Sequence, residues 1–236
     1  MQEVLYADQE ILVALKPAGV ESQTARRFEP DMVSRLKTYL VMNKLCTPGR
    51  EPYIGVIHRL DKPVSGIMVY ARTKNAAARL SSQLQSGKIR KTYLAVVCGK
   101  PVDNVDNLVD YLKKSVDGNY SQVVDKGVKD ARRAELSYRV LDTCKVDEQV
   151  LSLLEIHLKT GRHHQIRVQL SSRGFPIYGD ARYGNTGENR EERRNGFTPL
   201  ALCASGLSFV HPATGRPMEF SITPSGGIFE KFFRRE

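Results

Sequence analysis

The chain has 236 residues, 41% of them hydrophobic, and a formal charge of +10 from 36 Lys+Arg against 26 Asp+Glu. A chain of this length buries a sizeable core unaided, and its four cysteines (Cys46, Cys98, Cys144, Cys203) stand singly, which argues against a zinc site or a disulfide framework and suits a reducing cytosol. The basic excess, with a pI near 9.5, suits a polyanionic partner, because phosphate contacts release counterions and steer association.

The opening "MQEVLYADQEILVALKPAGV" carries acids and a Pro-Ala-Gly turn before any long apolar stretch, so no signal peptide is read there. No apolar run reaches the ~18–20 residues of a membrane span. The expectation is a soluble cytoplasmic protein with no membrane partner. No apolar segment is left over for self-association, so a monomer is expected.

Residues 4–16 alternate and read as one or two strands ending at the Lys16-Pro17-Ala18-Gly19 turn. "DMVSRLKTYLVMNKL" places Val33, Leu36 and Leu40 at helical spacing after a Pro30-Asp31 start signal. Residues 54–61 and 65–72 read as two strands around a bend. "KNAAARLSSQLQSGK" is a short amphipathic helix closed by Gly87, and "IRKTYLAVVCGK" returns as a strand. Residues 101–135 are polar and turn-rich, with "YSQVVD" as a strand of an exposed hairpin. Strands follow at "AELSYRVLDT" and "VLSLLEIHLKT", then a short helix beginning near His163. Residues 184–197 read as a mobile surface loop within the domain. The end alternates strands ("LSFVHP", "MEFSIT") with a terminal helix, "GGIFEKFFRR". Without repeats or strict strand–helix alternation, the pattern predicts one α+β domain over 1–236, with a mixed, mainly antiparallel sheet.

Two stretches resist a purely structural reading. In "VIHRLDKPVSGIMVYARTK" (56–74) an apolar run holds Asp61, with His58, Arg59 and Lys62 around it. An unpaired buried charge costs several kcal/mol. In "LKTGRHHQIRVQL" a helix opens with Arg162, His163, His164 and then Arg167, although cations are unfavourable at the positive end of a helix. On an ideal helix Ile166 and Leu170 face the core, while His163 and Arg167 share another face. The adjacent histidines are expected to point apart, a poor metal pair. Both oddities resolve if Arg167 faces Asp61: at ~4 Å and an effective dielectric of ~20 the pair gains roughly 4 kcal/mol, enough to keep the acid ionised in a pocket.

"HRLDKPVSG" (58–66), "KTYLAVV" (91–97) and "TGRHHQIRVQL" (160–170) resemble, in order and spacing, three motifs of the RluA family of RNA pseudouridine synthases. "LVALKPAGV", "YGDARYG" and "HPATGRPMEF" resemble its flanking segments, so the likeness runs over about residues 3–224. Taken singly, Asp61 reads as a turn residue and Tyr93 as a strand tyrosine; three motifs together give them roles.

The resemblance implies that Asp61 is the catalytic aspartate, Tyr93 the active-site tyrosine that stacks on the target base, and Arg167 the arginine that pairs with the aspartate. It implies that Arg59 can enter the RNA stack as the uridine leaves, with His58, Arg162, His164 and Gln165 as further RNA-binding candidates. It also implies the pseudouridine synthase fold, a structured RNA substrate (ribosomal RNA ahead of tRNA), no cofactor and no metal. The S4 RNA-binding domain of many relatives is not expected, since the catalytic pattern starts within the first few residues. The hairpin at 101–135, with its basic residues over 112–133, is expected to grip RNA. Val64 stands where the family has Thr, and Gln169 where it commonly has His, which bears on substrate fit.

Isomerising uridine breaks the C1′–N1 bond, turns the base and joins C5 to C1′. An ionised carboxylate can attack C1′ or remove the C2′ proton. The target atom is unreachable in stacked RNA, so the nucleotide flips out at a cost of a few kcal/mol, and an aromatic face recovers roughly 1–3 kcal/mol of that. A catalytically silent RNA-binding protein of the same fold and an Asp-dependent nucleosidase are the alternatives.

Overall fold

The computed structural model describes residues 3–24, 29–117, 119–184 and 199–233. In chain order its elements are β1 (Val4–Ala7), β2 (Ile11–Lys16), α1 (Met32–Met42), β3 (Gly55–Val56), β4 (Ser65–Ala71), α2 (Lys74–Gln85), β5 (Arg90–Cys98), β6 (Val105–Lys114) and β7 (Ser121–Val124). There follow β8 (Arg132–Val146), β9 (Gln149–Leu158), α3 (Gln165–Ser171), β10 (Leu202–Val210), β11 (Pro217–Ser221) and α4 (Glu230–Phe233). The expected α+β class with antiparallel strand pairing is what the chain adopts. From residue 185 the expected loop at 184–197 lies outside the described residues. Among the described residues no helix is long and apolar enough to cross a membrane.

The chain divides into two compact units, Met1–Lys91 with Ala204–Ile222 and Thr92–Cys203 with Thr223–Glu236. In the first unit β2 pairs antiparallel with β1 and β4, and β10 with β11. Alternate residues of neighbouring strands (Ile11, Val13; Ile67, Val69, Ala71; Leu207, Phe209) share one face and pack with Ala76 and Leu80 of α2. Each large aliphatic side chain buried there is worth ~1.5–3 kcal/mol. The residues between them, Leu12, Met68 and Tyr70, are also buried, so β2 and β4 are covered on both faces.

Local chemistry sets the helix starts. Asp31 caps α1 through a capping box with Ser34, and Thr73 caps α2 by accepting from Ala76 N–H. The buried stripe of α1 is Met32, Leu36 and Leu40, with Met32 in the place expected for Val33. The strand expected over 54–61 is reduced to the two residues of β3. The segment after it bonds to side chains instead of a ladder: Ser22 Oγ accepts from Leu60 N–H and donates to Leu60 O.

In the second unit the strand order is β5-β9-β8-β6-β7. β8 and β9 meet at Val146↔Gln149 around Asp147 and Glu148, both at positive φ. That two-residue turn matches the twist of the flanking strands. Leu112, Ala134, Val168 and Tyr183 form a small buried cluster where α3 meets β6 and β8.

Candidate active site

In the first unit, Asp61 is half-buried at the start of the turn leading into β4. Its backbone carbonyl accepts from Val64 N–H at 3.0 Å, and the carbonyl of Lys62 accepts from Gly19 N–H at 2.8 Å. Beneath this turn lies Lys16, the last residue of β2, where the sequence predicts only a strand end. Lys16 is 1% exposed, and its ammonium donates to the carbonyls of Pro17, Val20 and Lys62 at 3.1, 2.6 and 3.1 Å. Burial lowers its pKa to about 8, against the opposing charges of Glu21 and Asp61. The Coulomb attraction is mutual, so Lys16 favours the ionised carboxylate of Asp61. A lysine closing the apolar run "ILVALK" was the available signal.

The neighbours of Asp61 differ in exposure. Arg59 is exposed. His58, expected at the RNA surface, is buried and accepts from Val69 N–H through Nε2 at 3.3 Å. Burial, then the nearby Lys91 charge, pushes its pKa down to about 3.

In the second unit, Tyr93 is buried on β5, opposite Ile156 of β9. Arg167 is buried on α3 and is gripped bidentately by Asp180: Nε donates to Oδ2 at 2.8 Å and Nη2 to Oδ1 at 2.7 Å. Burial would raise the Asp180 pKa, but the Arg167 bonds and charge bring it below the usual value. Such fork-to-fork pairing fixes the plane of a guanidinium as well as its place. Asp180 lies in "YGDARYG", a segment read only as a flank.

The turn before α3 corrects the expected helix start. The helix begins at Gln165, and His163 and His164 precede it. His164 takes the left-handed conformation (φ 53°), so the two rings stack at 3.7 Å instead of diverging. Gln165 and His164, expected to meet RNA, are buried with internal partners. Gln165 accepts from Thr160 Oγ1 and Arg162 N–H and donates to Glu135 O, which pins the 160–165 loop. Arg162 is exposed, with Nε donating to Arg133 O. Gln169 is fully buried and donates to Asp110 Oδ2 at 2.6 Å, while its carbonyl oxygen has no partner. Among the described residues no group of three or more His, Cys, Asp and Glu could hold a metal ion.

A family model for RNA pseudouridylate synthases matches residues 10–172, a span that includes Asp61, Tyr93 and Arg167. The chain belongs to the RNA pseudouridylate synthase family. It is similar to ribosomal large subunit pseudouridine synthase D of Zymomonas mobilis, 34% identical over 223 residues, which cover 92% of this chain and 68% of that one. It is also similar to tRNA pseudouridine synthase C of Haemophilus ducreyi, 31% identical over 90% of this chain and 86% of that one. The human protein RNA pseudouridylate synthase domain containing 1 shares the fold, with a TM-score of 0.76 at 22% identity over 95% of this chain and 84% of its own. The motif resemblance to the RluA family is borne out, and enzymes of this pseudouridylate synthase family are isomerases acting on RNA.

The buried histidines give this pseudouridylate synthase a testable acid limit. His164, like His58, has its pKa pushed down to about 3, by burial and then by the Arg167 charge. Above pH 6.5 both are neutral folded or unfolded. Between pH 6.5 and 3 the unfolded chain binds protons that the folded one refuses, so stability falls as pH falls. Two such groups give a slope of at most ~2.7 kcal/mol per pH unit. Urea midpoints are therefore expected to drop steadily from pH 6.5 to 4.5; a flat profile over that range would contradict neutral burial.

Proposed function

We propose that this chain isomerises uridine to pseudouridine in structured RNA, ribosomal RNA ahead of tRNA, acting as a cytoplasmic monomer. Asp61 is the ionised carboxylate at the sugar, Tyr93 the aromatic partner of the flipped base, and Arg167 the arginine that sustains the charge of Asp61. The observation that carries this reading is the family match over 10–172, a span that includes all three residues. The buried ammonium of Lys16 adds to it, since a cation within Coulomb reach of Asp61 favours the ionised acid. Arg59 and Arg162, both exposed, suit contacts to RNA, whereas His58, His164 and Gln165 suit the holding of the loops that carry them. The hairpin of β6 and β7, with exposed Lys114, Lys126, Lys129, Arg132 and Arg133 on and beside it, suits the RNA backbone.

RNA tritiated at uridine C5 tests the reading. Tritium release without free uracil is the expected result. Free uracil would make the protein an Asp-dependent nucleosidase, and an inert label with tight binding would make it a silent RNA-binding protein. Mapping pseudouridine in rRNA and tRNA from cells lacking the protein decides the substrate.

A further inference from the structure

Three elements of the second unit meet at Tyr183, which is 7% exposed. Its hydroxyl accepts from Ser121 N–H, at the start of β7, at 2.8 Å and lies 2.8 Å from His164 Nδ1. With the His164 proton on Nε2, the Tyr183 hydroxyl donates to Nδ1 while it accepts from Ser121 N–H. The Arg167 guanidinium carbon stands 5.0 Å from the centre of the Tyr183 ring, within cation–π range. Asp180 closes the arrangement: the carboxylate that grips Arg167 also accepts from Tyr183 N–H at 3.1 Å.

The turn between β6 and β7 is tied to the same residue. Tyr120 stacks on the Tyr183 ring at 4.9 Å. Ser121 Oγ lies 2.8 Å from His163 Nδ1, and Arg182 donates to Asn119 O. The hairpin turn and the Arg167 guanidinium therefore share one aromatic residue, held by its hydroxyl on one side and its ring on the other.

We infer that Tyr183 is a positioning residue that couples the seating of the β6–β7 hairpin turn to the orientation of Arg167. RNA gripped by the hairpin then meets a guanidinium already aligned. The inference rests on the proposed uridine isomerisation, in which Arg167 serves Asp61. Small misplacement of a group at a reacting centre can cost up to ~100-fold in rate.

Tyr183→Phe deletes the hydroxyl and keeps the ring. The single-turnover rate at saturating RNA is expected to fall ~10–100-fold, with RNA affinity close to wild type. The Arg167 Nε–H resonance is expected to be sharp and slow to exchange in the wild-type protein and to broaden in the variant. A wild-type rate with an unaltered resonance overturns the coupling. Lost RNA affinity at an unchanged single-turnover rate also overturns it, leaving Tyr183 a brace for the hairpin. The resonance is read without substrate, so a wild-type protein that released no tritium would sink the isomerase reading while the coupling was still decided.

Discussion

Asp61→Asn is expected to slow tritium release from C5-labelled RNA by about four orders of magnitude, the scale seen when an essential nucleophile or base is removed. RNA affinity should change by no more than about a few-fold, since backbone contacts dominate binding. Asparagine has the shape of aspartate but no charge, so it can neither attack C1′ nor take the C2′ proton. The turn should survive the change because backbone groups close it: Asp61 O accepts from Val64 N–H, and Lys62 O from Gly19 N–H. Loss of the carboxylate also removes one of the two negative charges that offset the burial of Lys16. The lysine pKa should then fall further below about 8. Single-turnover assays with saturating RNA check the rate directly. An Asp61→Asn enzyme within tenfold of wild type would remove Asp61 from the chemistry.

How much of this was legible in sequence depends on how local the cause is. The helix start at Asp31, the helix of 74–85 and the strands β2, β5 and β9 follow from periodicity and from side chains a few residues away. Asp61 and Arg167 stand out because a charge in an apolar run and a cation at a helix start are conflicts that sequence alone exposes, whereas Tyr93 is marked only by its motif resemblance. What the sequence hid was long-range satisfaction. The extended stretch after β3 could not be told from a strand without knowing that Ser22, far away in the chain, bonds the backbone of Leu60. Lys16 ends β2 as expected, but the burial of its ammonium was hidden because its three acceptors are main-chain carbonyls, which leave no mark in residue type. Asp180 and Tyr183 sat in a short polar flank, and only the fold shows that one grips Arg167 and the other lies against it. His163 and His164 were misplaced by two residues, since a left-handed residue before a helix is rare outside glycine, asparagine and aspartate.

Gly66→Ala should be the most damaging small substitution in the first unit, costing about 4 kcal/mol or more. Gly66 is the second residue of β4, opposite Lys16 of β2 and five residues after Asp61, so it sits where the Asp61 turn joins the sheet. A Cβ built there would fall 2.4 Å from Ala204 O, 2.5 Å from its N and 2.6 Å from its Cβ. The first two are backbone atoms of β10 and cannot swing aside as a side-chain tip could. The φ of +134° adds strain of its own, ~1–3 kcal/mol for a residue with a Cβ. Gly174 separates the two effects: its φ is +85°, yet nothing lies within 4 Å of a Cβ there. Gly174→Ala should therefore pay strain alone, ~1 kcal/mol, and keep wild-type turnover. Urea unfolding of both variants measures the difference, expected to be ~3 kcal/mol or more. Equal losses would mean that β4 and β10 can part without consequence. A large loss at Gly66 accompanied by reduced turnover in the surviving folded fraction would show that the close approach of these two strands also sets the position of the Asp61 turn.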